Sequence, residues 1–160
     1  MSSNIIKTQS KIHFETCAQF MAASDPWITL QMDYQQCLQA FEGDFREVYI
    51  LIEDEAVQGF IIIQPKGTFK GYIQTICVNP NARGKGYGTS LLKHAEAIIS
   101  NYSPNVFICV SDFNTGALTL YLKFGFEEVG VLKDFVKMGF NEKLLRKTTG
   151  PIVGYLAKKI

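Results

Sequence analysis

The stretch that most limits how this chain can fold is Val78-Asn79-Pro80-Asn81-Ala82-Arg83-Gly84-Lys85-Gly86-Tyr87-Gly88-Thr89. A β-branched apolar run leads into it, alternating glycines fill it, and an amphipathic run leaves it. A strand, a tight loop and a helix suit that order. The glycines let the backbone curl with N–H groups pointing inward. The first turn of the following helix adds unpaired N–H donors and the positive end of its dipole. Together they form a cradle for a phosphate or pyrophosphate, with Arg83 and Lys85 adding charge. Two other phosphate loops do not fit. The dinucleotide pattern G-x-G-x-x-G needs glycine where Thr89 or Leu91 stands, and a P-loop needs Ser or Thr where Gly86 follows Lys85. A turn without a ligand is the plainer alternative.

The remaining periodicities describe one α/β domain over residues 1–160. Asn4 to Thr8 is a candidate first strand. Phe14 to Ala23 is helical, with Phe14, Cys17, Ala18 and Met21 on one face, and Ser24-Asp25-Pro26 stops it. Asp33 with Gln36 forms a capping box for a second helix that runs to Phe41 and ends at Gly43. Val48 to Glu53 and Ala56 to Gln64 read as a hairpin, and Tyr72 to Val78 as the strand before the loop. A helix follows from Gly88 to Ser100, with Leu91, Leu92, Ala95, Ile98 and Ile99 as its apolar stripe. Val106 to Val110 is a strand covered on both faces. Thr115 to Phe124 is a helix closed by Gly125, and Phe126 to Leu132 and Glu142 to Thr148 are the last strands. Such an order gives a mixed sheet with helices on both faces.

Composition narrows the partners. The chain has 160 residues, 47% apolar and 19% charged, with a net charge of +1. That balance is globular, and it offers no electrostatic handle for nucleic acid. The first residues, Met1 to Lys7, lack the apolar core of a secretion signal, and no apolar run is long enough to cross a bilayer. The expectation is a cytoplasmic protein without a membrane partner. Cys17, Cys37, Cys77 and Cys109 form no C-x-x-C pair and lie in apolar stretches, as buried reduced thiols do. His13 and His94 are far apart, so no metal site is expected.

Two blocks carry a family resemblance. Arg83-Gly84-Lys85-Gly86-Tyr87-Gly88 resembles the acetyl-CoA signature [QR]-x-x-G-x-[GA] of the GNAT (Gcn5-related) N-acetyltransferases, and Ile76-Cys77-Val78-Asn79-Pro80 resembles the strand that leads into it. Asn114 to Phe126 resembles a second block, N-x-x-A-x-x-x-Y-x-x-x-G-F. The resemblance implies the GNAT fold and acetyl-CoA as co-substrate. Backbone N–H groups of Arg83, Gly84, Lys85, Gly86, Tyr87, Gly88 and Thr89 would hold its pyrophosphate. Ile76, Cys77 and Val78 would pair with the pantetheine arm, and the Val78 N–H would serve the thioester oxygen. Asn114 would help fix the arm, or simply cap its helix. Tyr121 would protonate the leaving thiolate, or simply pack.

The resemblance also implies direct attack of an amine on acetyl-CoA through a tetrahedral intermediate. The acceptor, small molecule or peptide, stays open, and so does a homodimer. Asp25 and Trp27 fall in the acceptor-binding segment, with Gln74 beside the reacting centre. The general base is missing from its usual place, because neutral Gln74 and Thr75 stand mid-strand where many relatives carry a carboxylate. A base acting through water, Asp112 and Asp25 are the alternatives, although both carboxylates read better as loop or cap residues. A CoA-binding sensor without catalysis and an unrelated phosphate binder are the competing functions.

Overall fold

The computed structural model describes residues 4–155, so the reading of Met1 to Ser3 lies outside the described residues. The chain order is β1 (Asn4–Thr8), α1 (Lys11–Ala22), α2 (Tyr34–Leu38), β2 (Glu47–Glu53), β3 (Ala56–Gln64), β4 (Tyr72–Val78), α3 (Tyr87–Ile99), β5 (Asn105–Ser111), α4 (Thr115–Phe124), β6 (Glu127–Leu132) and β7 (Glu142–Thr148). The expected elements are all present, with shifted ends. Helix α1 starts at Lys11 rather than Phe14, because the Phe14 N–H already reaches Ser10 O at 3.1 Å. Helix α2 is short and passes into a 3-10 turn, Gln39–Phe41. Its capping box is complete: Gln36 N donates to Asp33 Oδ1 and Asp33 N to Gln36 Oε1, each at 2.9 Å. No helix among the described residues is long and apolar enough to cross a membrane.

The seven strands form one sheet in the order β1-β2-β3-β4-β5-β7-β6. Only β4 and β5 run parallel, and they are joined through α3. Two apolar clusters cover the two faces. On one, Leu51, Ile61, Ile63 and Ile73 meet Leu91, Leu92, Ala95 and Ile99 of α3. On the other, Ile50, Phe60, Ile62 and Cys77 meet Cys17, Ala18 and Met21 of α1 and Cys37 of α2. Strand β3 serves both clusters, which explains why Phe60-Ile61-Ile62-Ile63 is apolar without alternation and fully buried. Each such side chain contributes about 1.5–3 kcal/mol when removed from water. Cys17, Cys37 and Cys77 are buried as expected. Cys109 is only half-buried, because its side of β5 faces a cavity rather than a helix.

One irregularity shapes the sheet. Against β3, Thr75 pairs with Ile62 and Ile73 with Ile63, so Gln74 is an extra residue on β4. Such a bulge bends its strand and sharpens the twist. Strand β4 pairs with β5 only at Tyr72↔Phe107 and Ile73↔Ile108, immediately before the bulge. Beyond Gln74 the two parallel strands part.

Gly71 holds the closed end of this fork. Its N–H donates to Gln64 O at 3.1 Å, and its carbonyl accepts from Phe107 N at 3.0 Å. Its φ is +91°, and a Cβ there would sit 2.5 Å from Asn105 O and 2.7 Å from Ile99 Cγ2. Strain and collision therefore act together. Gly71→Ala is expected to destabilise the protein by roughly 2 kcal/mol or more in urea unfolding. A loss below about 0.5 kcal/mol, the range of an ordinary surface substitution, would show that the junction can move aside.

Candidate active site

The parted strands leave backbone groups unpaired. Asn79 N donates to Gln58 O on β3 at 2.8 Å. Antiparallel pairing alternates every second residue, so Cys77 and Thr75 also direct their backbone to β3. Ile76 and Val78 then direct their N–H and C=O groups into the gap facing β5. The gap is part of a cavity of about 540 Å³. Of the site residues singled out in the sequence, all but Lys85 and Asp112 line it; Lys85 is exposed on the loop. Cys77 lines it too, but its thiol packs in the α1 cluster, with Sγ 3.8 Å from Ser24 Oγ.

The loop is built by conformation at Gly86 and by packing at Gly88. Gly86 is the N-cap of α3 with φ +81°, a region open to glycine, while a Cβ there would meet nothing within 4 Å. At Gly88 a Cβ would approach Leu120 Cδ2 to 3.2 Å, so glycine lets α3 lie close to α4. Ser90 N donates to Gly86 O at 3.0 Å and is the first bonded amide of the helix. The N–H groups of Tyr87, Gly88 and Thr89 precede it without helical acceptors. The Tyr87 side chain is buried in the α3 cluster, so its contribution to the cavity is backbone.

Helix α4 brings Asn114 and Tyr121 to the same cavity. Asn114 Oδ1 accepts from Ala117 N at 3.4 Å, so it caps the helix and also lines the cavity. Tyr121 is buried, with its ring edge-on to Phe126 at 6.0 Å between centroids. Burial, reinforced by the Cys77 thiol, raises its phenol well above the ordinary tyrosine range. The hydroxyl therefore remains a proton donor at any physiological pH.

At the other end, a tight turn after α1 presents Trp27, half-buried against the α1–α2 cluster and lining the cavity. It serves both as a plug and as a wall. Asp25 is committed to its own turn, where Oδ1 accepts from Thr29 N at 3.1 Å and Thr29 Oγ1 at 2.6 Å. The bulged Gln74 is likewise held: Nε2 donates to Ala40 O at 3.0 Å and Oε1 accepts from Gln64 Nε2 at 2.9 Å. Asp112 is exposed and does not line the cavity. The loop between β6 and β7 closes against the Trp27 turn, since Lys137 Nζ donates to Leu30 O at 2.7 Å and to Gln31 Oε1 at 3.0 Å.

Sequence reasoning missed Glu142. It begins β7, lies opposite Ser111 of β5, is only 6% exposed and lines the cavity. Glu142 Oε2 and Ser111 Oγ are both buried without a hydrogen-bond partner among the described residues. Desolvation raises the Glu142 carboxyl above its ordinary value, and the negative charge of Asp112 adds to the rise. No sequence signal marks this residue, because a glutamate opening a strand reads as solvated.

Comparison with known proteins gives the class to which this forked sheet and glycine loop belong. The acetyltransferase (GNAT) family matches residues 12–126, and the chain belongs to that family. The Escherichia coli ribosomal-protein-S18-alanine N-acetyltransferase structure superposes with a TM-score of 0.73 at 16% identity, over 97% of this chain and 99% of that one. An IAA acetyltransferase from Bacillus cereus gives 0.69 at 17% identity, over 92% and 99%. An aminoglycoside 6'-N-acetyltransferase complexed with coenzyme A gives 0.73 at 14% identity, over 94% and 98%. These likenesses show the fold. No curated protein matches the sequence.

Glu142 gives the site a pH signature. A raised carboxyl pKa means that the folded state binds more protons than the unfolded chain. Stability is then fully present below the unfolded value of about 4.3, falls as pH rises to the folded value, and stays level above it. Glu142→Gln should remove this fall from the curve of unfolding free energy against pH. Parallel curves for the two proteins would show that Glu142 titrates normally.

Proposed function

We propose that this protein transfers the acetyl group of acetyl-CoA to the nitrogen of an amine. The observation that carries the reading is the fork at Gln74, which exposes the Ile76 and Val78 backbone in the same cavity as the Gly86 loop and Tyr121. The site fits the co-substrate at three points. Free N–H groups at Tyr87, Gly88 and Thr89 suit a pyrophosphate. Unpaired groups on Ile76 and Val78 suit the amides of a pantetheine arm, as an added strand would. Arg83, exposed at the rim, adds a cation.

The chemistry then follows from the chain's own groups. The amine nitrogen attacks the thioester carbon, and the carbonyl oxygen gains charge. The Val78 N–H, fixed by the β3–β4 ladder, stabilises that oxygen without reorganising, often the largest electrostatic contribution to acyl transfer. As the C–S bond breaks, Tyr121 donates a proton to sulfur. Its raised pKa keeps that proton in place until charge develops. Thiol release from acetyl-CoA on addition of a panel of primary amines tests the activity; CoA binding without release would favour a sensor.

Tyr121→Phe keeps the ring and its contact with Phe126 but removes the proton. Its kcat is expected to fall by about 10²-fold, with CoA affinity unchanged. Because burial lifts the free phenol above the usual tyrosine value of about 10, this loss should appear as a uniform drop across neutral pH rather than a missing limb. An unaltered kcat, where chemistry limits the rate, would make Tyr121 a packing residue.

A further inference from the structure

Glu142 lacks what stabilises the paired carboxylates of this fold. Glu47, Glu128 and Glu96 each meet a lysine, at 2.8, 3.4 and 2.6 Å. Glu142 meets none among the described residues. The polar groups around it are the Tyr72 phenol from β4 and the Cys109 thiol, Ser111 hydroxyl and Asp112 carboxylate on and after β5. None is a cation. The neighbouring Lys143 turns instead to Glu128 of the edge strand. Glu142 itself is held in place by the ladder to Ser111 and by the Asp112 N–H, which donates to Asn141 O at 3.0 Å.

A carboxylate buried this way is costly in its charged form unless a cation joins it. The cavity it lines is the one that Val78 and Tyr121 also line, and it has apolar walls too: Trp27, Leu30 and Met32 from the turn, Phe135 and Val136 from the β6–β7 loop. The shape and charge therefore ask for a cationic head on an apolar body. An amine acceptor arrives as an ammonium ion and has to lose a proton before its nitrogen can attack. The carboxylates weighed from sequence do not suit that task, since Asp25 is bonded to Thr29 and Asp112 is outside the cavity.

We propose that Glu142 is the acceptor-side catalytic carboxylate, receiving the ammonium of a primary amine with a small apolar body and taking its first proton. The inference rests on the acetyl-transfer reading above. One proton passes from nitrogen to the Glu142 carboxylate and on to solvent. The nitrogen lone pair then forms the N–C bond, the C–S bond breaks onto sulfur, and the second nitrogen proton is balanced by the one sulfur receives. An acceptor with a carboxylate beside its amine would bring like charge towards Glu142. Free α-amino acids are thereby disfavoured as acceptors.

Phenethylamine and phenylalanine differ by that carboxylate alone and serve as the probes. Each is titrated calorimetrically into CoA-saturated wild type and Glu142→Gln, and thiol release from acetyl-CoA is followed against pH. Wild type is expected to bind phenethylammonium at least about tenfold more tightly than phenylalanine, a margin of one like-charge contact. Glu142→Gln should weaken phenethylammonium by a similar factor and lower kcat/KM about 10²-fold near pH 7, with acetyl-CoA affinity unchanged. The kinetic gap should narrow as pH approaches the amine's own pKa of about 10, where no base is needed. On wild type alone, phenethylammonium binding should weaken as pH falls through the raised titration range of Glu142 and the carboxylate is neutralised.

Wild-type binding and pH profile in a folded Glu142→Gln would overturn the proposal. So would preference for phenylalanine, failure of phenethylamine to bind, or pH-independent binding by wild type. Glu142-dependent binding with no thiol release would overturn acetyl transfer and leave the ammonium site standing. Thiol release indifferent to Glu142 would do the reverse.

Discussion

The site depends on one interrupted pairing. Parallel strands β4 and β5 share two residue pairs and then separate, because Gln74 adds a residue to β4 that β3 does not match. A sheet without that bulge would satisfy the Ile76 and Val78 backbone groups with β5 and close the gap. Instead the Ile76 and Val78 backbone groups on the β5 side face the cavity. The Gln74 side chain, held by Ala40 and Gln64, pins the bulge from the α2 side. Gly71 keeps the other end shut.

Around this fork, burial acts on two ionisable groups with opposite chemical results. Tyr121 and Glu142 are both pushed towards their protonated forms. For the phenol, already neutral at physiological pH, the shift secures a donor. For the carboxyl, it makes the charged form dependent on an incoming cation and its basicity closer to that of a working base. The two groups line the same cavity, one on α4 and one on β7, which neither their sequence separation nor their local patterns suggest.

Local sequence made much of the fold legible. The Asp33–Gln36 box, the Gly125 cap and the unalternating Phe60–Ile63 run each specify their element through neighbours a few residues away. The glycine loop was readable for the same reason, since its turn depends on Gly84 and Gly86, both at positive φ. What was hidden depends on register between distant strands. The bulge at Gln74 exists only relative to Ile62 and Ile63, and the burial of Glu142 only relative to Ser111 and the cavity beside it. Asp25 was drawn into the site by position, yet its carboxylate serves Thr29. Lys85 was drawn in by charge, yet it lies outside the cavity.

Backbone amide hydrogen exchange, with and without saturating CoA, tests the fork most directly. CoA seated between β4 and β5 should slow exchange at Ile76, Val78, Tyr87, Gly88 and Thr89. Cys77 and Asn79, already bonded to β3, should change little. Binding of CoA that leaves Ile76 and Val78 unprotected, or that protects a different face of the sheet, would contradict a cofactor site in the fork.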